Sequence, residues 1–269
     1  VVFDNTLDFS LPCLQQRQKS AKKRGVLDIY EYIWRGGMPQ VQTASAEQRD
    51  AYYNSYINTY LMRDAAEAGG ITNALRFQKF LSACAALLSE QLNYKTLADS
   101  ADISQPTARE WLRLLQGLGI VYLLKPYSNN ALKRLTKTPK LYFYDTGLAA
   151  HLSMWLTPET LRNGAASGHF FENYVVMELL KEFLYAPTTV NITYYRDSNA
   201  KEIDVFVEEN NQIHPLEIKK SASPDRREGK KFEVLDKASL ERGAGGIVCM
   251  CEEVVPIDAK NSFIPCSLL

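Results

Sequence analysis

The clearest periodic pattern lies between residues 104 and 118. Ser104 is a preferred N-cap residue and Pro106 suits the first turn of a helix, so the two predict where a helix begins. Apolar residues then recur at steps of three and four, which predicts one buried face. These residues are Ala108, Trp111, Leu112, Leu115 and Leu118. The opposite face is polar and comprises Gln105, Arg109, Arg113 and Gln116.

The segments around this helix complete a known order of elements. A shorter helix precedes it after Glu90, and the apolar run from Ile120 to Leu124, which an Asn-rich turn follows, predicts a strand. Two helices, a short turn and a hairpin form a winged helix-turn-helix, whose second helix can enter the DNA major groove. Such modules also dock onto proteins, so protein binding is the alternative at this point.

A long helical stretch precedes this module, and a stretch in which helices and strands alternate follows it. The region from Ser45 to Glu90 is helical in pattern, with a break near Gly69 and Gly70. After Gly164 the pattern predicts a helix, then strands at 191–196, 202–208 and 213–219, then a helix near 229–239 and the strand GIVCMC. This alternation of helices and strands predicts an α/β domain. We therefore predict three domains. They are a helical region at 1–90, the winged helix-turn-helix at 91–155 and the α/β domain at 160–269.

The predicted strands 202–208 and 213–219 carry charged residues where half-buried strands usually carry neutral ones. Asn210 and Asn211 suit the two central positions of a type I′ turn. Pairing around that turn places Asp204 opposite Glu217, with Lys219 on the same face. Opposed like charges destabilise a sheet by up to about 1 kcal/mol. A counter-charge is therefore expected there, either Lys219 or a divalent cation such as Mg²⁺.

A third acid belongs with this pair in the same interpretation. Glu172 falls on the apolar stripe of its helix, where a carboxylate is costly unless it has a partner. If Glu172, Asp204 and Glu217 converge, they can hold Mg²⁺ or Mn²⁺, while Lys219 orients or activates a water molecule for phosphodiester hydrolysis. The alternative is a hairpin whose charged face lies in water, with Glu172 at a frayed helix start.

Overall charge and composition add constraints on partners. The chain has 31 basic and 31 acidic residues, so an anionic partner requires a local patch. A basic run near the predicted wing supplies a candidate patch and consists of Lys133, Arg134, Lys137 and Lys140. We predict double-stranded DNA contacts through Gln105, Arg109, Arg113, Lys133, Arg134 and Lys137.

Five irregularly spaced cysteines favour reduced thiols and a cytoplasmic location. No apolar run reaches the ~18 residues of a membrane span, so no membrane partner is expected.

Two sets of motifs resemble known families. Glu172, then Asp204, then twelve residues and Glu217-Ile218-Lys219 resemble the motif of the PD-(D/E)XK nuclease superfamily, although Ile203 stands where that motif usually has proline. From Ile33 to Leu235 the chain is similar to the C-terminal half of a family of prokaryotic AAA-type ATPases that resemble archaeal ATPases. The motifs that carry this resemblance include WRGGMP, YINTYLMRD, KRLTKTPKLYFYDTGLAAHL, FENYVVMEL and PLEIKKS.

The resemblance implies a function for the whole chain. A P-loop of the form GxxxxGK[ST] is absent from the sequence, so ATP is expected only through an N-terminal ATPase domain that this chain lacks. The chain is then the part that follows that domain, acting on or near DNA, with a candidate metal-dependent endonuclease site. The alternative is a non-catalytic DNA- or protein-binding regulatory module that docks onto the ATPase domain or a partner. We interpret Asp145, within the motif YFYDTGL, as a helix N-cap.

Overall fold

The computed structural model describes residues 7–69, 71–127, 138–184, 189–197, 201–237 and 241–269. In chain order the α-helices of these ranges are α1 (Leu11–Ser20), α2 (Val26–Arg35), α3 (Ala46–Ser55), α4 (Met62–Gly69), α5 (Ala74–Ala86), α6 (Tyr94–Ala101), α7 (Gln105–Gly117), α8 (Thr146–Leu152), α9 (Pro158–Asn163) and α10 (Ser167–Leu184). A π-helical turn, Tyr56–Leu61, joins α3 to α4, and 3-10 segments span Pro39–Val41, Arg226–Lys237 and Cys266–Leu268.

The strands of the described ranges form two sheets. In chain order they are β1 (Val121–Leu124), β2 (Lys140–Phe143), β3 (Asn191–Arg196), β4 (Glu202–Glu209), β5 (Gln212–Lys219), β6 (Glu241–Arg242), β7 (Gly245–Cys249), β8 (Val255–Pro256) and β9 (Asn261–Pro265). β1 pairs with β2, and the larger sheet has the order β3-β4-β5-β7-β9-β8, with β6 beside β5. The chain therefore combines an N-terminal helical region with a C-terminal sheet.

The chain divides into two compact units. The helical unit comprises Leu27–Leu123 and Pro139–Asn173. The sheet unit comprises the described residues up to Val26, the described part of Leu124–Thr138, and Tyr174–Leu269. This division differs from the predicted grouping of residues 1–90, because α1 packs on β9. Arg17 of α1 donates to the Leu268 carbonyl at 2.6 Å and to Glu182 at 2.8 Å.

Helix α7 of the helical unit begins where the sequence predicts. Ser104 caps α7 by accepting a hydrogen bond from the Thr107 backbone N–H at 3.2 Å. Ala108, Leu112 and Leu115 are buried on the predicted apolar face. α6 packs against both α5 and α7, and the strands β1 and β2 follow in the chain.

A buried carboxylate organises the other part of the helical unit. Asp145 is the N-cap of α8, as predicted, and accepts from the Leu148 backbone N–H at 2.6 Å. It also accepts from the Tyr53 hydroxyl at 2.7 Å and from the Gly37 backbone N–H at 2.8 Å. The cap therefore links α8 to α3 and to the Gly-Gly turn after α2.

The predicted hairpin forms with the predicted register. Val205 pairs with Leu216, and Asn210 and Asn211 have φ angles of +48° and +65°, as a type I′ turn requires. β3, β4 and β5 are antiparallel, whereas β5, β7 and β9 run parallel. The helix predicted near 229–239 is a 3-10 segment and not an α-helix, and it spans Arg226–Lys237.

Candidate active site on the central hairpin

Glu217 is a carboxylate buried in the larger sheet. It lies on β5 between its neighbours β4 and β7, and only 3% of its side chain is exposed. The ammonium of Lys219 lies 2.8 Å from Oε1 of Glu217. The ammonium of Lys231 lies 2.5 Å from the same oxygen. Two cations therefore share one oxygen of one buried acid.

The second carboxylate oxygen of Glu217 is in a different situation. Within the described ranges Oε2 is buried and has no hydrogen-bond partner. Burial raises the pKa of Glu217, and the negative charge of Asp204 raises that pKa further, against the hydrogen bonds from Lys219 and Lys231. A buried carboxylate oxygen without a donor is costly, so this atom is an unsatisfied feature of the site.

Asp204 lies on β4, next to β5, and its negative charge acts on Glu217. It sits one residue beyond the Val205–Leu216 pair, and its Oδ2 accepts from the Ile218 backbone N–H at 2.8 Å. The direct pairing of Asp204 with Glu217 stays a prediction, because the paired residues of β4 and β5 run from Val205–Leu216 to Glu209–Gln212. Carboxylate oxygens are the ligands that Mg²⁺ and Mn²⁺ prefer, so this donor pair with its unsatisfied oxygen fits a divalent cation.

Two residues of the site were missed from the sequence. Lys231 and Glu228 lie on the 3-10 segment, where Oε2 of Glu228 is 2.9 Å from the Lys231 ammonium and 3.7 Å from that of Lys219. The hydrogen bond from Lys231 is the main reason that the pKa of Glu228 is lowered. The only local sign of this pair was an acid and a lysine three residues apart on a segment with apolar anchors.

Those anchors fix the segment against the sheet. Phe232 and Leu235 belong to a buried cluster with residues of β4 and β5. These partners are Ile203, Phe206 and Ile213. Because Phe232 is fully buried, the backbone of its neighbour Lys231 is held in place. The side chain of Lys231 itself is 33% exposed.

Glu172 lies in the helical unit, where it has other partners. The Lys140 ammonium is 2.9 Å from its Oε1, and the Tyr142 hydroxyl donates to the same oxygen at 2.7 Å. Across the described ranges, no three Asp, Glu, His or Cys side chains lie close enough to hold one metal ion. The metal-binding role of Glu172 stays a prediction.

The predicted DNA-contacting residues divide into two groups. Gln105, Arg109 and Arg113 are exposed on α7, and the Arg109 guanidinium lies 4.8 Å from the centre of the Tyr94 ring. Lys133, Arg134 and Lys137 lie outside the described residues. The inclusion of Lys140 in the basic patch was wrong, because its side chain is only 5% exposed and pairs with Glu172.

Comparisons with known proteins add two family models and two relatives. A model described as a domain of unknown function (DUF8612) matches residues 26–159, and another, also of unknown function (DUF4143), matches residues 167–269. Uncharacterized proteins of Mycobacterium tuberculosis and Mycobacterium bovis are each 31% identical to this chain over 206 residues, which is 76% of this chain and 46% of theirs. The chain thus spans about half the length of these curated relatives. No solved structure matches it significantly. None of the helices in the described ranges is long and apolar enough to cross a membrane.

Proposed function

We propose that the sheet unit is a nuclease-like module of the PD-(D/E)XK type that hydrolyses phosphodiester bonds in DNA. The observation that carries this proposal is the buried Oε2 of Glu217, which lacks a hydrogen-bond donor beside a second acid, Asp204. A divalent cation held by these two residues satisfies that oxygen and offsets the like charges that raise the pKa of Glu217.

Each residue of the hairpin has a role in this proposal. Asp204 and Glu217 hold Mg²⁺ or Mn²⁺, which when bound supplies an acidified water and neutralises charge on the phosphate. Burial lowers the pKa of Lys219, but the hydrogen bond to Glu217 and its charge outweigh burial, so that the pKa is raised. Lys219 therefore stays protonated at neutral pH. It acts as a hydrogen-bond donor that orients water or phosphate, and not as a base.

We further propose that α6, α7, β1 and β2 form a winged helix that contacts double-stranded DNA. The capped helix α7 exposes Arg109 and Arg113 on the face opposite its buried residues, which supports a role as the recognition helix. Lys133, Arg134 and Lys137, which the sequence places near the wing, add positive charge in this proposal.

The resemblance to AAA-type ATPases extends the proposal to the full-length protein. In that setting an N-terminal ATPase domain supplies ATP binding and is a partner of the two units described above. This chain has no P-loop sequence, so we expect no ATPase activity from it. The curated relatives are more than twice as long as the matched segment, which leaves room for such a domain in them.

The nuclease proposal is tested by metal binding and DNA cleavage in parallel. Calorimetry with Mn²⁺ at neutral pH should show binding to the wild-type chain and none to Asp204→Asn or Glu217→Gln. Nicking of supercoiled plasmid with Mg²⁺ or Mn²⁺ should fall by about 100-fold or more in both variants. Glu233→Gln, which removes an exposed acid from the 3-10 segment, is the matched control and should behave as wild type.

A second candidate function rests on the two lysines. Lys219 and Lys231 already neutralise Glu217 without a metal ion, as a structural ion-pair network would. In that case the chain is a non-catalytic module that binds DNA or a protein partner. Plasmid that stays intact with every metal, together with retarded migration of DNA by the wild-type chain, would favour this candidate over the nuclease.

A further inference from the structure

Lys231 covers the candidate metal site from a different element than the hairpin. Its ammonium contacts Glu217 at 2.5 Å and Glu228 at 2.9 Å. The side chains of Lys231 and Lys219 are 33% and 34% exposed, whereas that of Glu217 is 3% exposed. The two lysines therefore lie between solvent and the buried carboxylate.

This arrangement sets up competition for one carboxylate. A divalent cation that binds Glu217 repels the ammonium groups already there, because like charges so close together repel strongly. Lys231 can yield its contact with Glu217 and keep a carboxylate partner, since its ammonium already forms an ion pair with Oε2 of Glu228 at 2.9 Å. Lys219 has a more distant alternative partner in the described ranges, because its ammonium lies 3.7 Å from Oε2 of Glu228.

We propose that Lys231 exchanges between two roles at this site, an inference that rests on the proposed nuclease function. Without a divalent cation its ammonium is the counter-ion of Glu217. With the cation bound, Lys231 is held by Glu228 alone and donates to a non-bridging oxygen of the phosphodiester. Lys231 is then a substrate-binding residue of the reaction, and its release from Glu217 couples metal binding to binding of the DNA phosphate.

The proposal predicts opposite changes in two affinities when Lys231 is replaced. Lys231→Met removes the competing ammonium, so Mn²⁺ should bind roughly five-fold more tightly in calorimetry. The same variant loses a phosphate contact, so binding of a short DNA duplex in Ca²⁺ should weaken, and the slope of log affinity against log salt should fall by about one. A purely structural lysine would give weaker binding of both ligands.

Matched variants separate this inference from other effects. Lys230→Met removes an exposed charge from the adjacent position and should leave both affinities unchanged. Lys231→Arg keeps the positive charge and should retain the wild-type Mn²⁺ affinity and salt slope, and the thermal melt of Lys231→Met checks that the methionine variant is folded.

Each outcome has a distinct meaning. Absence of Mn²⁺ binding to the wild-type chain would overturn the nuclease proposal and this inference with it. Wild-type binding of Mn²⁺, with equal or weaker binding to Lys231→Met, would overturn the inference alone. Tighter Mn²⁺ binding with an unchanged DNA salt slope would overturn the phosphate-binding role, and both expected changes together would support the whole proposal.

Discussion

The Tyr53 hydroxyl donates a hydrogen bond of 2.7 Å to the carboxylate of Asp145, inside the helical unit. Burial is the main cause that raises the pKa of Tyr53, so the phenol stays protonated and remains a donor. Tyr53→Phe leaves a buried carboxylate with one donor fewer, and we expect a loss of about 1 to 3 kcal/mol in the free energy of unfolding. Urea denaturation measures this. Tyr60→Phe, at an exposed tyrosine on the π-helical turn, should stay within about 0.5 kcal/mol of wild type.

Gly36 lies against the same pair and has a φ angle of +88°. A Cβ at this position would lie 2.4 Å from the Tyr53 hydroxyl and 2.7 Å from Oδ1 of Asp145. Gly36→Ala should therefore destabilise the chain by about 1 to 3 kcal/mol, from backbone strain and from this contact. Gly117→Ala is the matched control, because no atom lies within 4 Å of its added Cβ. A melting temperature of Gly36→Ala equal to that of the control would contradict the prediction.

Lys140 and Glu172 form an ion pair that is mostly shielded from water. Lys140→Met should cost about 3 to 5 kcal/mol, since it removes the ammonium that lies 2.9 Å from Oε1 of the largely buried Glu172. Adding Glu172→Gln should recover part of that loss, because the glutamine can still accept from Tyr142. A double-mutant cycle of unfolding free energies measures the coupling, and strictly additive losses would be inconsistent with the pair.

His151 gives the helical unit a pH dependence. Burial lowers its pKa below the ordinary value of 6.5, and a hydrogen bond with Asp50 offsets this only in part. The unfolded chain therefore takes up the proton first, so stability is complete above pH 6.5 and falls as the pH drops toward the folded-state pKa.

Unfolding free energies measured at intervals between about pH 5 and pH 8 should show this loss in the wild-type chain. Between the folded-state and unfolded-state pKa values of His151, the free energy of unfolding should fall by up to about 1.4 kcal/mol for each pH unit. His151→Gln should lack this component, whereas His169→Gln, at a more exposed histidine, should retain it. An identical pH profile for wild type and His151→Gln would rule out this origin.

Arg113 tests the proposed recognition helix. If it contacts a DNA phosphate, Arg113→Gln should weaken duplex binding at all sequences and lower the salt slope by about one. Glu110→Gln changes an exposed charge on the same helix in the opposite sense and should not weaken binding. Fluorescence anisotropy over a salt series distinguishes the two variants. Equal slopes for wild type and Arg113→Gln would remove this residue from the interface.

Local rules were sufficient for α7 and for the hairpin. The cap at Ser104 and the two asparagines at the turn act over a few residues, so sequence spacing fixes both the start of α7 and the pairing of Val205 with Leu216. Once the turn is known, the placement of Lys219 follows from strand alternation.

Long-range partners could not be predicted in the same way. Lys231 is 14 residues away from Glu217 in the sequence. It lies on a 3-10 segment that packs on the sheet through the buried Phe232. Lys140 stands in a basic run that suggests a solvent-exposed patch, yet its partner Glu172 is 32 positions away. Each of these pairs joins residues of two different elements, so only tertiary packing determines the contacts.

The anchoring of Arg17 has a practical consequence for dissecting this protein. A fragment limited to residues 167–269, the span of the second family match, would leave Glu182 and the Leu268 carbonyl without the guanidinium that both contact in the intact chain. The sheet unit contains α1 as well as the C-terminal strands. To isolate this unit, α1 should be co-expressed as a separate peptide or fused after Leu269 in a circular permutant.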